Sequence, residues 1–158
     1  MGTEQNITVS RAININQAVD LLGESSLLPF EVAYKLGNQG TYVQRIVERK
    51  NKEVQKLVKA FNVERTKLIN GDKVLTEEQT EKITELNGKL NEDAEAINDK
   101  EVPVKLIKFK SKDFMATEDT TDYVEIKGTE GFQTRVIKKG SSLVPIAFFK
   151  LMGDLIEE

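Results

Sequence analysis

Apolar residues recur at steps of three or four along a long segment of the chain, from Pro29 to Asn70. Pro29 suits a first helical position because its missing N–H has no helical partner there, and Asn70-Gly71 is a typical helix end. At about 1.5 Å per residue the predicted helix is on the order of 60 Å long, so we expect part of it to project or to meet a partner. Its apolar positions include Val43, Val47, Val54, Leu57, Phe61 and Leu68.

A second, shorter helix is predicted after the turn at Gly71. Thr76 is followed three residues later by Gln79, the pattern in which a cap residue and the third helical residue satisfy each other's backbone N–H groups. The apolar spacing then continues from Ile83 to Ile97, which predicts a helix that folds back on the first. The pairs expected to face each other are Leu86 with Phe61 and Leu90 with Leu57.

The flanking segments predict a small mixed base. Ile7 and Val9 indicate a short strand, Asn14 a cap for a brief helix that ends at Gly23, and Ser142 the start of a closing helix. Alternating residues predict a strand near 102–106 and a β-hairpin of 123–126 and 132–137, joined through residues 128–131. We expect this base to bury Val32, Ala33, Leu36 and Val43, and to hold Phe30 and Tyr42 in its core.

The predicted fold is therefore α+β and mostly α. A long antiparallel helical hairpin, residues 29–99, stands on a base of about three β-strands and two short helices, formed by residues 1–28 and 100–158. We expect residues 1–158 to form a single domain.

The two arms of the predicted hairpin carry opposite charge. The segment from Arg45 to Lys73 has nine basic and four acidic residues, whereas the segment from Glu77 to Glu101 has nine acidic and three basic residues. Exposed ion pairs contribute about 0.2–1 kcal/mol each, so we expect them to select the antiparallel register more than to supply stability. We expect most of these charges to pair within the hairpin, and a basic face that binds a partner is the alternative.

Composition removes most catalytic chemistry. The chain has no Cys and no His, which excludes disulfides, thiolate nucleophiles, the usual zinc sites and the commonest general base. Glu118, Asp119 and Asp122 are the densest carboxylates outside the helices, but their spacing resembles no calcium loop and reads better as a polar loop. We expect no enzyme activity and no cofactor, and neither a membrane-spanning segment nor a secretion signal.

Three stretches resemble a family of small, functionally unassigned proteins encoded by tailed bacteriophages. These are Leu28-Pro29-Phe30-Glu31-Val32-Ala33-Tyr34-Lys35-Leu36, Arg65-Thr66-Lys67-Leu68-Ile69 and Glu101-Val102-Pro103-Val104, in that order and separated by an acidic arm. The sequence departs from the family pattern between Lys112 and Lys139, where its β-hairpin looks longer. The resemblance implies a viral protein located in the host cytoplasm during infection, with the virion as an alternative location, and supplies no catalytic residues.

Three functions then compete. The first is a non-enzymatic phage protein that works by protein contact, as a virion or assembly component or an accessory factor, in a homo-oligomer or a heteromer with a phage or host protein. Its expected contacts lie at the hairpin tip: Lys67, Asn70, Lys73 and Glu77. The second is an inhibitor of a host enzyme or defence system, whose acidic residues compete with nucleic acid for a basic cleft. These residues are Glu77, Glu78, Glu81, Glu85, Glu92, Asp93, Glu95 and Asp99.

The third and weakest alternative is nucleic-acid binding. Lys105, Lys108, Lys110 and Lys112 form a basic row that Arg135, Lys138 and Lys139 could extend. A net charge of −3 and the lack of interleaved aromatic residues beyond Phe109 argue against it.

Overall fold

The computed structural model describes residues 2–22, 27–125, 128 and 130–158. The long helix α2 (Phe30–Ile69) and the shorter helix α3 (Glu77–Asp99) form the antiparallel hairpin that the sequence predicts. Pro29 lies one residue before α2, and its carbonyl accepts the first helical hydrogen bond from Ala33 N at 3.0 Å. Asn70 ends α2 in the left-handed conformation, with φ 48°, and Gly71 follows with φ 76°.

The start of α3 has the predicted capping box. Gln79 N donates to Thr76 Oγ1 at 3.2 Å, and Thr76 N donates to Gln79 Oε1 at 2.8 Å. The same Gln79 side chain donates through Nε2 to Leu68 O at 2.9 Å and to Asp72 Oδ2 at 3.0 Å. One residue thus caps α3 and ties it to the end of α2, which fixes the turn between them.

The N-terminal segment begins with strand β1 (Thr3–Thr8), which passes directly into helix α1 (Val9–Leu22). The predicted strand position at Val9 and the predicted cap at Asn14 are therefore wrong. Thr8 precedes the helix, and its Oγ1 accepts a hydrogen bond from Arg11 N at 3.1 Å. The Thr8 hydroxyl thus caps a backbone N–H of the first turn of α1. The predicted helix end at Gly23 lies outside the described residues.

The strands pair two by two in the described part of the chain. Strand β1 pairs antiparallel with β2 (Glu101–Leu106), and the two-residue strands β3 (Phe109–Lys110) and β6 (Ile156–Glu157) pair in parallel. Strands β4 (Thr120–Glu125) and β5 (Phe132–Ile137) form the predicted β-hairpin. Glu125 is opposite Phe132, so the connection is longer than the predicted 128–131, and the predicted strand residue Ile126 lies outside the described residues.

The closing helix α4 (Ile146–Met152) is shorter than predicted from Ser142. Ser142 Oγ instead accepts from Val144 N at 3.1 Å and donates to Val144 O at 2.7 Å, a local turn that competes with a helix start. Pro145, which is extended at ψ 149°, precedes the first helical residue. A 3₁₀ turn, Gly153–Leu155, then leads into β6.

The core lies in the base. The rings of Phe109, Phe114 and Phe148 are buried, and the Phe114 and Phe148 centroids are 4.9 Å apart. Helix α1 packs between α2 and α4, so α1, more than the closing helix, covers the root of α2. Of the residues expected to be buried there, Val32, Leu36 and Val43 are buried and Ala33 is exposed.

One buried side chain joins α2 to the sheet. Gln39 is fully buried, accepts from Ile107 N at 2.6 Å and donates to Lys105 O at 3.1 Å. It thereby satisfies two backbone groups at the end of β2, as a neighbouring strand would. Two residues before Lys105 stands Pro103, which has no N–H to leave unpaired.

Arg11 joins α1 to the end of α4. Its guanidinium donates to Leu151 O at 2.9 Å, to Met152 O at 2.5 Å and to Asp154 Oδ1 at 2.6 Å. A cation at the C-terminus of a helix satisfies carbonyls that have no helical partner and favours the negative end of the helix dipole. Gly153, with φ 55°, lies against this guanidinium, where an added Cβ would be 3.2 Å from Arg11 Nη1.

Candidate functional site

The hairpin has an open apolar groove along one side. Leu57, Phe61, Leu86 and Leu90, the four residues predicted to face each other across the hairpin, line it together. None of these four side chains is fully buried, because each helix covers only part of the apolar face of the other. Two adjoining cavities of about 170 and about 370 Å³ follow this side toward the root at Ile97 and Lys100. We call this feature the hairpin groove.

The acidic residues of α3 separate into two places. Asp93 lines the hairpin groove. Five other carboxylates lie within an arc of about 80° around the axis of α3, counted at 100° per residue. This row points away from α2, since it lies on the side of α3 opposite Leu86, Leu90 and Ile97. We call these exposed residues the acidic edge: Glu81, Glu85, Glu92, Glu95 and Asp99.

A row of cations lies along one flank of α2. Its members recur at steps of three or four and, by the same helical geometry, lie about 80–160° around the helix from Leu57, with Lys56 also lining the hairpin groove. All of them are exposed. We call this row the basic edge: Arg45, Arg49, Lys52, Lys56 and Lys59.

The expectation that most charges pair within the hairpin is wrong for the described residues, where three ion pairs form in it. One ion pair crosses between the arms there, Lys100 Nζ to Glu53 Oε2 at 3.3 Å, and it runs from the acidic arm's end to the basic arm. The ion pairs Lys67–Glu64 and Lys82–Glu78 each lie within one helix. Neither edge forms a salt bridge or a side-chain hydrogen bond among the described residues.

Two pKa values are shifted on α3. The hydrogen bond from Lys82 and its positive charge lower the pKa of Glu78. In turn, the hydrogen bond to Glu78, its charge and the nearby charge of Glu85 raise the pKa of Lys82. Both side chains are exposed, so the pair is a local surface feature.

The hairpin tip exposes the residues expected to contact a partner: Lys67, Asn70, Lys73 and Glu77. Lys67 pairs with Glu64 at 3.2 Å on the same helix. The sequence-based reasoning missed Val74, which is 84% exposed at the turn. Its position between two helix ends, outside either apolar stripe, was the signal that could have identified it.

The structure divides the predicted basic row of β2 and β3. Lys108, Lys110 and Lys112 border one cavity, of about 350 Å³, together with the acidic residues Glu31, Asp113 and Glu157. Lys105 borders a different cavity, of about 470 Å³, between α2 and β2. There it joins Arg45 and Arg49 of the basic edge, beside Glu4 and Tyr42.

Aromatic residues are exposed at two further places. Phe30 is 81% exposed and stacks on Tyr34, with centroids 6.1 Å apart, so its predicted place in the core is wrong, whereas Tyr42 does pack against the core. Tyr123 and Phe132 lie on one face of the β4–β5 hairpin, since residues paired in register share a face. Alternation predicted these strands, but it does not tell which face a core covers.

Two of the three carboxylates that were compared with a calcium loop have other partners. Asp119 accepts from Lys138 Nζ at 3.3 Å and from Lys139 N at 2.9 Å, and Asp122 accepts from Arg135 at 2.9 Å. Within the described ranges, no group of three or more acidic side chains is placed to hold a metal ion. None of the helices in those ranges is both long and apolar enough to cross a membrane.

The hairpin offers three surface features. The hairpin presents an incompletely covered apolar groove between two edges of opposite charge, and its tip is exposed. Comparison with known proteins finds no family model, no curated protein and no solved structure that matches this chain.

Proposed function

We propose that this protein is a non-enzymatic protein of a tailed bacteriophage that acts by protein contact. It serves as a virion or assembly component or as an accessory factor bound to a larger machine. The viral origin rests on the resemblance of the Leu28–Leu36, Arg65–Ile69 and Glu101–Val104 stretches. The lack of Cys and His supports a role without catalysis.

The observation that carries the proposal is the hairpin groove. Leu57, Phe61 and Leu90 are apolar but only half-buried, and the groove remains open beside them. Each apolar Å² that a partner removes from water contributes about 25 cal/mol, so a third helix laid in this groove would gain stability that two helices alone lack. A groove of this type suits an amphipathic helix as its occupant.

A photo-reactive residue in place of Ala60 tests this proposal. Ala60 lines the groove, whereas Gln55, one and a half turns earlier on α2, is exposed on another side of the helix and serves as the matched control. In infected cells we expect a discrete cross-linked adduct with one partner from position 60 and none from position 55. The same adducts at both positions, or none at position 60, would contradict the proposal.

A second candidate function draws support from the acidic edge. Inhibition of a host enzyme or defence system requires carboxylates that are not already neutralised, and the acidic edge forms no ion pair among the described residues. Such a row could compete with nucleic acid for a basic cleft. The triple variant E85K/E92K/E95K should then lose inhibition of a DNA-binding target, while E118K/E157K, with two reversals on the base, keeps it.

A further inference from the structure

The β4–β5 hairpin of the base has few neighbours. In the described part of the chain β4 and β5 pair with each other and with no further strand, so each has one edge without a neighbouring strand. Their main contacts are also with each other. Within β5, Ile137 is buried and the residues before it are exposed. Because a two-stranded hairpin alone is marginally stable in water, this one lacks the neighbours that usually stabilise it.

One face of this β-hairpin is apolar and uncovered. Residues that pair in register share a face, as do alternate residues along a strand, which places Tyr123, Phe132 and Val136 together. Their exposed fractions are 69%, 70% and 59%. The opposite face holds the ion pair between Arg135 and Asp122, at 2.9 Å. Apolar side chains grouped on one exposed face are typical of an interaction site.

The open edge of β5 is also unprotected. Proteins keep strand edges apart with Lys, Pro, bulges or inward-pointing charges. Strand β5 contains no Pro, no Lys and no acidic residue, and the one charge on it, Arg135, already pairs with Asp122. Strand β4 differs, since Asp122 lies in its middle. The edge of β5 is therefore the better template for another strand.

A second copy of β5 fits this edge in a defined register. Two identical antiparallel strands related by a two-fold axis pair about a central residue, because opposed residues must both turn their backbone groups toward each other. The centres that keep the longest overlap within β5 are Thr134 and Arg135. A centre at Arg135 would place two guanidinium groups opposite each other and would require Ile137, which is buried, to pair as well. Thr134 is the centre without these costs.

We propose that β5 pairs antiparallel with β5 of a second copy of this chain, about a two-fold axis at Thr134. The two hairpins then form one four-stranded sheet, and the apolar face continues across both copies. Pairs of an aromatic with a β-branched residue, and of two threonines, stabilise antiparallel sheets. The opposed residues are Thr134 with Thr134, Phe132 with Val136, and Gln133 with Arg135.

The contact closes at a dimer, since a two-fold contact uses the same surface of both copies. Pairing of about five residues per strand is small beside the 1,200–2,000 Å² that a stable complex buries, so the dimer should form at high protein concentration. This inference goes beyond the proposed function, because it uses the base and leaves the hairpin groove open.

Light scattering across a concentration range tests the pairing. We expect the mass of the wild type to rise with concentration from the monomer toward the dimer and no further. The variants T134K and T134E should each weaken association about tenfold or more, because like charges then lie opposite each other. Mixing the two variants should restore the dimer, since opposite charges then meet at the centre.

The matched control is T121K, the same change at an exposed position on the same face but on β4. It should associate as the wild type does. A wild type that stays monomeric at about 1 mM would overturn the inference, as would T134K associating like the wild type or a mixture no better than its components. The cross-link at position 60 reports on the groove, so failure here is distinguishable from failure of the proposed function.

Disulfide formation tests the register. The chain has no cysteine, so each substitution introduces one thiol. Opposed residues of antiparallel strands have Cα atoms about 4.5 or 5.5 Å apart, a distance that a disulfide spans. T134C should therefore oxidise to a covalent dimer at least about tenfold faster than T121C, which lies one strand away from the contact. Q133C should link to R135C faster than to itself. Equal rates for T134C and T121C would contradict the pairing.

Discussion

The base and the hairpin use the same apolar spacing and reach different degrees of burial. In the base Phe109, Phe114 and Phe148 are fully buried by several elements at once. In helix α3, Ile97 at the root is buried, whereas Ile83, Leu86, Leu90 and Ala94 toward the tip are only half-buried. The difference teaches that periodicity predicts which side of a helix is apolar, whereas the number of neighbours decides whether that side becomes a core or a binding surface.

Truncating one side chain in the base and one in the hairpin should give the largest difference in the free energy of unfolding. Phe148→Ala removes a ring that packs on Phe114 and Phe149, and we expect a loss of about 3–5 kcal/mol in the free energy of unfolding. Leu90→Ala, in the half-exposed groove, should lose about 1–2 kcal/mol. Urea unfolding followed by circular dichroism measures both. Equal losses would show that a partner or a second copy already covers the groove.

A substitution at Gln39, which joins the hairpin to the base, should lower the stability nearly as much. Gln39→Leu leaves Lys105 O and Ile107 N unsatisfied in a buried place, at about 1–3 kcal/mol for each such group. We expect a loss of at least about 2 kcal/mol in urea unfolding. Gln44→Leu, which removes an exposed hydrogen bond to Glu48 one turn away, is the control and should cost less than about 0.5 kcal/mol. A similar cost for the two variants would refute the role of Gln39.

Replacing each of two helical glycines with alanine should change the stability of the protein in opposite directions. Gly40 packs against α1, where a Cβ would be 3.1 Å from Val19 Cγ1, so Gly40→Ala should destabilise the protein by about 1 kcal/mol. Gly88 has open space around it on α3, so Gly88→Ala should stabilise the protein by about 0.5–1 kcal/mol through helix propensity. Thermal unfolding of both variants measures these shifts. Stabilisation by Gly40→Ala would mean that α1 yields easily at this crossing.

The smallest expected effect is the titration of Glu78. Its pKa is lowered in the folded state by Lys82, so its contribution to stability is present above the unfolded-state pKa and is lost as the pH falls below about 4.3. In an NMR titration the midpoint of Glu78 should move upward when Lys82 is replaced by Met. An unchanged midpoint would mean that the ion pair does not persist in solution.

The sequence predicted those parts of the fold that local chemistry determines. Three signals were of this kind: the helix ends at Pro29 and Asn70, the capping box of Thr76 and Gln79, and the apolar spacing of both helices. Each of them involves residues only a few positions apart along the chain. Each is a local interaction. The α+β class and the hairpin follow from them.

Long-range contacts explain what the sequence did not predict. Gln39 resembles any polar residue of a helix, and its role depends on β2, 66 residues further along the chain. Phe30 looked like a core residue because aromatic side chains usually are, but no element covers its side of α2 in the described structure. In the described part of the chain a single ion pair, Lys100–Glu53, crosses between the arms, because pairing depends on which way each charged side chain faces, and net charge does not contain that information.

The bridge made by Gln39 also has a mechanical consequence. It fixes α2 to the sheet near the root, and the tip at Asn70 lies about 45 Å further along the same helix, at 1.5 Å per residue. If α2 tilts as a rigid body about Gln39, a rotation of about 10° displaces the tip by about 8 Å. Small changes in the packing of α1 against the root at Gly40 would be amplified into a large reach at the far end.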